Sequence, residues 1–444
     1  MPETAARRTI LMLAQRFPPS GGAGVQRNLQ LARHLPEAGV RTVVVTGPGS
    51  VGYRWTPADT ALSDERLQAA IHRLPPSEPP HGVAWEARLE RWLRVPPRWQ
   101  RWWRSHAFEV AVSAGSDADV VHASVAPYSS AATAIAVARR LGRPLVMDFE
   151  DPWALDEMLV YPSRLHRRLQ ERTMGRMLAA ADAVVMNAPE ARRRVLETFP
   201  ALDPERVVAF PNAFDPDDFA APVPPRDDDR FRILHAGSLH TEQGRQQRAA
   251  SPARRLLGGT VPGVDFLTRS HVFLLEAIAG LLERRPELAP LIDVELAGVF
   301  TDADRDVAAR YPFVRLSDFV PHATTLALMR SADLLFLPMH DLPPGRRAGL
   351  IPHKTYEYLA AGRPILAAVP DGDARDLLVE SGAAATCRPA DTAAMAALLE
   401  ADIDAWRAGA APRVPRAEVV ERCSCRRLIA DLSALYDVLA ASRA

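Results

Sequence analysis

The chain has 444 residues, 48% hydrophobic and 24% charged, which excludes a mainly disordered polymer and allows two or three domains with buried cores. Basic and acidic side chains balance at 54 each, so net charge gives no basis for nucleic-acid binding. No run approaches the roughly 18 apolar residues of a spanning helix, and the run at 10–14 is too short for a signal-peptide core.

Residues 9–17 read as an apolar strand, followed by the loop Pro18-Pro19-Ser20-Gly21-Gly22-Ala23-Gly24. A helix follows, with Val25, Leu29, Ala32 and Leu35 on one face. Gly39 ends it, and 41–46 is the next strand. Residues 85–104 hold five of the eight Trp and six Arg against two Glu. Trp and Arg together suit a membrane interface or a lipid acceptor. The other reading packs Trp92, Trp99 and Trp103 onto the first domain, with Arg facing water. Strands are expected at 120–122, 144–149, 183–186 and 207–210, and a helix at 129–140. Continuous apolar strands alternating with helices mean a parallel sheet covered on both faces.

Residues 215–230 are acidic and Pro-rich, including Pro224, Pro225 and Asp227, and read as a linker. A fresh first strand follows at 231–236, ended by Gly237-Ser238. Further strands are expected at 293–297, 314–319, 334–337, 364–368 and 384–387, with a last helix over about 418–440. Residues 239–269 show little periodicity and are expected to form a mobile loop. The fold class is α/β: two doubly wound domains, whose default ligand site is the cleft between them. The division is 1–215, a linker at 216–230, a second domain at 231–415, and a C-terminal helix at 416–444 returning to the first domain. Three cysteines, Cys387, Cys423 and Cys425, are too few for a disulfide framework and suit a reducing cytoplasm. Cys423 and Cys425 have no His nearby to complete a zinc site.

Of the 54 basic residues, 53 are Arg and one is Lys. The single Lys354 stands three residues before Glu357, on one helix face. A compact ammonium at a helix start attracts phosphate, and a carboxylate on the same face accepts hydrogen bonds from a ribose diol. The bland alternative is a surface ion pair. The Gly21–Gly24 loop and Gly237-Ser238 each sit between a first strand and its helix, where backbone N–H groups approach an anion. Neither carries the dinucleotide fingerprint or a Walker loop. Asp117-Ala118-Asp119 and Asp302-Ala303-Asp304 fit strand and helix starts better than a metal motif.

The run Lys354-Thr355-Tyr356-Glu357-Tyr358-Leu359-Ala360-Ala361-Gly362-Arg363-Pro364-Ile365-Leu366 resembles the donor-site signature of GT-B glycosyltransferases of family 4. The loop Phe17–Gly24 resembles their N-terminal glycine loop. Asp148-Phe149-Glu150-Asp151-Pro152-Trp153 resembles an Asp-Phe-Arg-Asp-Pro-Trp element of polysaccharide-assembly members, with Glu150 in the place of Arg. Pro211-Asn212-Ala213-Phe214-Asp215 resembles the turn before the linker, and His235-Ala236-Gly237-Ser238-Leu239 the opening of the donor domain. Gly349 stands where the family's first Glu would fall.

The resemblance implies two facing Rossmann-like domains with a cleft, and retaining transfer from a nucleotide-diphosphate sugar, UDP-sugar favoured. The acceptor would be a glycan, a lipid-linked molecule or a small molecule, in bacterial surface-polysaccharide assembly. Donor binding would fall to Gly22, Gly24, Asn212, Gly237, Ser238, Lys354 and Glu357. Lys354 and Arg269, with Arg245 as runner-up, would stabilise the leaving diphosphate. His122, Ser124 and Asp151 would lie near the acceptor, with Asp151 able to orient or deprotonate its hydroxyl. No metal or other cofactor is expected. The enzyme would be cytoplasmic, with no nucleic-acid partner and with membrane contact through Trp85, Trp92, Trp99, Trp102 and Trp103. The competing readings are a nucleotide-sugar epimerase of the same architecture and a catalytically weak sugar-nucleotide-binding partner subunit.

Overall fold

A computed structural model describes residues 8–49, 58–59, 62, 67, 69–223, 226 and 228–442. Pro224, Pro225 and Asp227 of the expected linker lie outside the described residues. The chain forms two compact units. The first takes residues up to Asn212, Leu257–Thr260 and everything from Cys425; the second takes Ala213–Leu256 and Val261–Ser424.

The first unit runs β1 (Arg8–Ala14), α1 (Ala23–His34), β2 (Val40–Thr46), β3 (Ala70–Arg73), α2 (Ala84–Leu93), α3 (Arg98–Ala114) and β4 (Val120–Ser124). It continues with α4 (Ser130–Leu141), β5 (Leu145–Phe149), α5 (Arg164–Leu178), β6 (Ala183–Met186), α6 (Pro189–Thr198) and β7 (Val207–Ala209). The seven strands are parallel, in the order β3-β2-β1-β4-β5-β6-β7. β1, β4, β5 and β6 are apolar without alternation because helices cover both faces, and nearly every residue in them is buried. The edge strand β3 escapes sequence detection because its residues are largely exposed and carry no apolar run.

The second unit runs β8 (Phe231–Ala236), α7 (Thr241–Arg248), α8 (Pro252–Leu257), α9 (Val272–Arg284), β9 (Ile292–Ala297), α10 (Asp302–Ala308), β10 (Val314–Ser317) and α11 (His322–Ser331). Then come β11 (Leu334–Pro338), α12 (Lys354–Ala361), β12 (Ile365–Ala368), α13 (Asp373–Ser381), β13 (Ala384–Cys387), α14 (Thr392–Arg407) and α15 (Ala417–Arg422). Its six parallel strands take the order β10-β9-β8-β11-β12-β13. Phe231, Ile233, Leu274, Ile278, Leu281, Val294, Leu296 and Phe336 are among the residues of its core. Asp302-Ala303-Asp304 does open a helix: Asp304 and Thr301 form a reciprocal capping box on α10.

Three expectations are corrected. Residues 239–269, read as a loop, carry α7 and α8. α7 (TEQGRQQR) is polar almost throughout, so periodicity could not reveal it. It is held instead by Gln247, whose amide donates to Val264 O at 2.7 Å and accepts from Phe266 N at 2.9 Å. The single last helix is two: α15 stops at Cys423, and α16 (Cys425–Ala441) belongs to the first unit. Membrane contact, the first of the two readings of 85–104, fails for Trp103, which packs inward as the other reading has it. It is 1% exposed, and with Ala107 and Ala111 it forms the buried stripe of α3 at i, i+4 and i+8. Trp99 stacks on His81 and Trp102 on His106, both half-buried, so Trp85 and Trp92 are the exposed indoles of this stretch, at 56% and 51%.

Trp103→Ala should therefore cost about 3–5 kcal/mol of the first unit's stability, whereas Trp92→Ala should change it by less than about 0.5 kcal/mol. Urea unfolding followed by far-UV circular dichroism checks the contrast; equal effects would contradict the packing described.

Candidate functional site

In an open parallel sheet, ligands bind beyond the carboxyl ends of the strands, where the strand order reverses. In the second unit that reversal lies between β8 and β11. Gly237 follows β8 with φ +115°. A Cβ there would sit 2.6 Å from Lys354 Nζ, so the first-strand turn and the start of α12 meet closely. Only glycine suits both the dihedral and the contact.

His235, at the end of β8, organises this meeting. It is 1% exposed, and its Nδ1–H donates to Phe336 O on β11 at 3.0 Å. Nε2 is thereby left as an acceptor, 3.3 Å from Lys354 Nζ. Burial first, and then the charge of Lys354, hold the imidazole neutral by pushing its pKa well below the ordinary value. Tyr358, one helical turn beyond Lys354, accepts from Ala236 N at 3.0 Å and donates to Phe336 O at 3.3 Å. The two aromatic side chains therefore tie α12 to β8 and β11.

Lys354 is half-buried. Burial and the like charge of Arg269 lower its pKa to about 7, against the pull of Glu357. Arg269 lies just before α9, and its carbonyl accepts from His240 N at 3.0 Å, which places it beside the Gly237-Ser238 turn. Arg245 sits on α7, where its charge adds to the burial that brings His271 down to about 4. Glu357 is 8% exposed. Burial alone would raise its pKa, but His322 Nε2, 2.9 Å from Oε1, with the charges of His322, His353 and Lys354, brings it to about 2. His353 Nε2 lies 3.7 Å from the same oxygen. Gly349 is buried in the loop between β11 and α12. The structure thus groups Lys354, Glu357, Gly237, Ser238 and Arg269 at one end of the second sheet. It adds His235 and His322, which no spacing in the sequence connects to Lys354, and His353 and Tyr358, which lie at the start and in the second turn of the Lys354 helix itself.

In the first unit the strand order reverses between β1 and β4. Arg27 of α1, 2% exposed, pairs with Asp148 at the end of β5 at 2.7 Å. It also donates to Pro211 O and to Asn212 Oδ1, at 3.1 and 3.2 Å. Burial would raise the Asp148 pKa, but the Arg27 charge and His122 hold it below the usual carboxylate range. His122 is fully buried in β4, with Nδ1 2.9 Å from Tyr436 Oη and Nε2 3.5 Å from Asp148. Ser124 is buried beside Asp148 in register. Asn212 therefore serves Arg27 here, and His122 is bound into a chain from α16 to β5.

Glu150 follows β5, and its Oε2 would lie 2.9 Å from a Cβ on Gly24, so the glycine loop and this carboxyl fit against each other. Its Oε1 is buried without a hydrogen-bond partner among the described residues. Burial, reinforced by Asp151 and Asp148 and opposed by Arg27 and Arg16, raises Glu150 to about 7. Asp151 is exposed next to it. Gly22 opens α1 at φ +103°. Trp153 also has a positive φ, and its ring stacks on Tyr128 with centroids 5.1 Å apart.

Residues 21–213 match the family model described as a glycosyl transferase 4-like domain. No curated protein sequence matches the chain. Its structure is similar to that of HepE from Anabaena in complex with UDP and glucose, at 14% identity and TM-score 0.62, over 98% of this chain and all of that one. Sucrose-phosphate synthase from Thermosynechococcus elongatus is similar at 13% identity and TM-score 0.64, over 98% and 100%. An α,α-trehalose 6-phosphate synthase from Burkholderia multivorans gives 13% and 0.60, over 98% and 97%. These likenesses show the fold, with two Rossmann-like parallel-sheet domains as in GT-B glycosyltransferases.

The lowered Lys354 pKa has a stability consequence. Between about pH 7 and the unfolded value near 10.4, the unfolded chain binds more protons than the folded one, so this site adds stability as pH rises through that window. Lys354→Met, which removes the buried charge, should raise the thermal midpoint of the second unit at pH 6–7, with the gain shrinking toward pH 10. A pH-independent difference, measured by differential scanning fluorimetry, would contradict this assignment.

Proposed function

We propose that this chain is a retaining glycosyltransferase that moves a sugar from a nucleoside-diphosphate sugar to a glycan, lipid-linked or small-molecule acceptor. The observation carrying this reading is the convergence of Lys354 and Arg269 on the Gly237-Ser238 turn. Two cations of like charge, both half-buried, are more stable with an anion between them, and backbone N–H groups at a strand–helix turn add to that attraction. Glu357 on the same helix face would take the ribose hydroxyls.

The match to a glycosyl transferase 4-like domain supports the transferase class. The HepE complexes with UDP and with UDP-glucose support uridine as the favoured base. In this reading the glycosidic C–O bond to the diphosphate breaks, and its electron pair stays on the phosphate oxygen. Lys354, Arg269 and the turn stabilise that charge without a metal. The acceptor hydroxyl attacks the same face of the sugar and passes its proton to the departing phosphate. Asp151, Ser124 and Glu150 at the ends of β4 and β5 would position the acceptor. The resemblance of 148–153 to an element of polysaccharide-assembly members is what supports a role in bacterial surface-polysaccharide assembly. Among the described residues no helix is long and apolar enough to cross a membrane. Trp85, Trp92 and Leu93 are exposed among arginines, which suits peripheral contact with a cytoplasmic membrane face.

UDP at about 100 times its dissociation constant should stabilise the protein by about 2.7 kcal/mol, read as a raised thermal midpoint, and Glu357→Gln should reduce that shift. Lys354→Met should lower turnover about 10²–10³-fold, the usual loss on removing one stabiliser of developing charge. Absence of a shift with UDP, GDP and dTDP alike, or normal turnover in Lys354→Met, would sink the reading.

A further inference from the structure

Beside β1 and β2, at the carboxyl edge of the first unit's sheet, lies a cavity of about 290 Å³. Its walls come from Gln15 and Arg16 after β1, the 47–49 turn after β2, the loop before α2, α2 itself, and Trp99 of α3. This volume is near the lower end of the roughly 300–1,000 Å³ of small-ligand sites, which suits a single ring.

The lining is ordered. Glu78 Oε1 accepts from Gln15 Nε2 at 3.3 Å and lies 2.9 Å from His81 Nε2. The His81 ring in turn stacks on Trp99, with centroids 4.2 Å apart and planes 15° from parallel. Glu86, its side chain 4% exposed, is fixed by the backbone N–H and the guanidinium of Arg98. Glu90 accepts from Gln100 at 2.6 Å. Three carboxylates, one indole and Arg16 therefore share one small space.

This chemistry selects among ligands. Three carboxylates repel phosphates and nucleotides, and so many fixed polar groups disfavour an acyl chain. A neutral pyranose fits both kinds of wall, because its C–H face covers an aromatic ring while its hydroxyls donate to carboxylates and accept from a guanidinium. The charge of Arg16, one wall of the cavity, also acts on Glu150 after β5.

We infer that this cavity, walled by Trp99, Glu78, Glu86, Glu90 and Arg16, binds a neutral pyranose ring of the acceptor. The inference rests on the transferase reading for the word acceptor; the binding of a pyranose does not.

Saturation-transfer NMR on the full chain tests it, with the methyl pyranosides of glucose, galactose, mannose and xylose as probes. Transfer to at least one pyranoside is expected in the parent, falling about tenfold or more in Trp99→Ala, the scale of losing one aromatic anchor. Should Trp99→Ala fail to fold, Ala87→Trp decides: Ala87 lines the cavity from an exposed helix position, and its indole should fill the space and abolish transfer. Both variants should keep the stabilisation by UDP. No transfer to any pyranoside, or transfer that survives both substitutions, would overturn the inference. Loss of the UDP effect in the parent would instead count against the transferase reading and leave the pyranoside result standing.

Discussion

A half-buried lysine held against a glycine turn, with a second cation close by, is the constraint on which the second unit's site depends. Lys354 can approach the turn only because residue 237 has no side chain. It can remain there only because His235 is locked neutral by its bond to Phe336 O, leaving a lone pair toward the ammonium. Burial and Arg269 both oppose the lysine's charge, and Glu357 offsets them only in part. Such a cost to folding is typical where a protein holds groups ready for a ligand.

The first unit solves a different problem. Arg27, buried at the heart of its switch point, would be costly alone. Asp148 neutralises it through Nε, and Pro211 O and Asn212 accept from Nη1, while Nη2 is buried without a partner among the described residues. His122 and Tyr436 extend the network from β4 into α16, so the end of the chain contributes to the polar core of a sheet begun by its first described residues. Beside this charge-neutralised network stands Glu150, which has a buried oxygen without a partner among the described residues, two carboxylates as neighbours and a pKa raised to about 7.

Much of this was legible in the sequence. Both doubly wound domains could be read because buried parallel strands are uninterrupted apolar runs, and all but one of the strands had been expected close to their observed positions. The exposed edge strand β3 and the polar helix α7 could not, since neither presents an apolar stripe. Lys354 stood out by composition, as the one lysine among 54 basic residues. Its partners did not. His235 and His322 reach the site from β8 and α11, which only the fold brings beside α12, whereas His353 directly precedes Lys354. Trp103 and Trp92 divide the two readings of 85–104: helix phase packs Trp103 inward, as the packing reading has it, and leaves Trp92 exposed, against it.

The single lysine makes the central claim directly measurable. Protein grown with isotope-labelled lysine gives one side-chain NMR signal, that of Lys354, which can be titrated free and with UDP. The account predicts a midpoint near pH 7 in the free protein, moving upward when UDP brings negative charge to the site. A midpoint near the ordinary lysine value of about 10.4, unmoved by UDP, would contradict it.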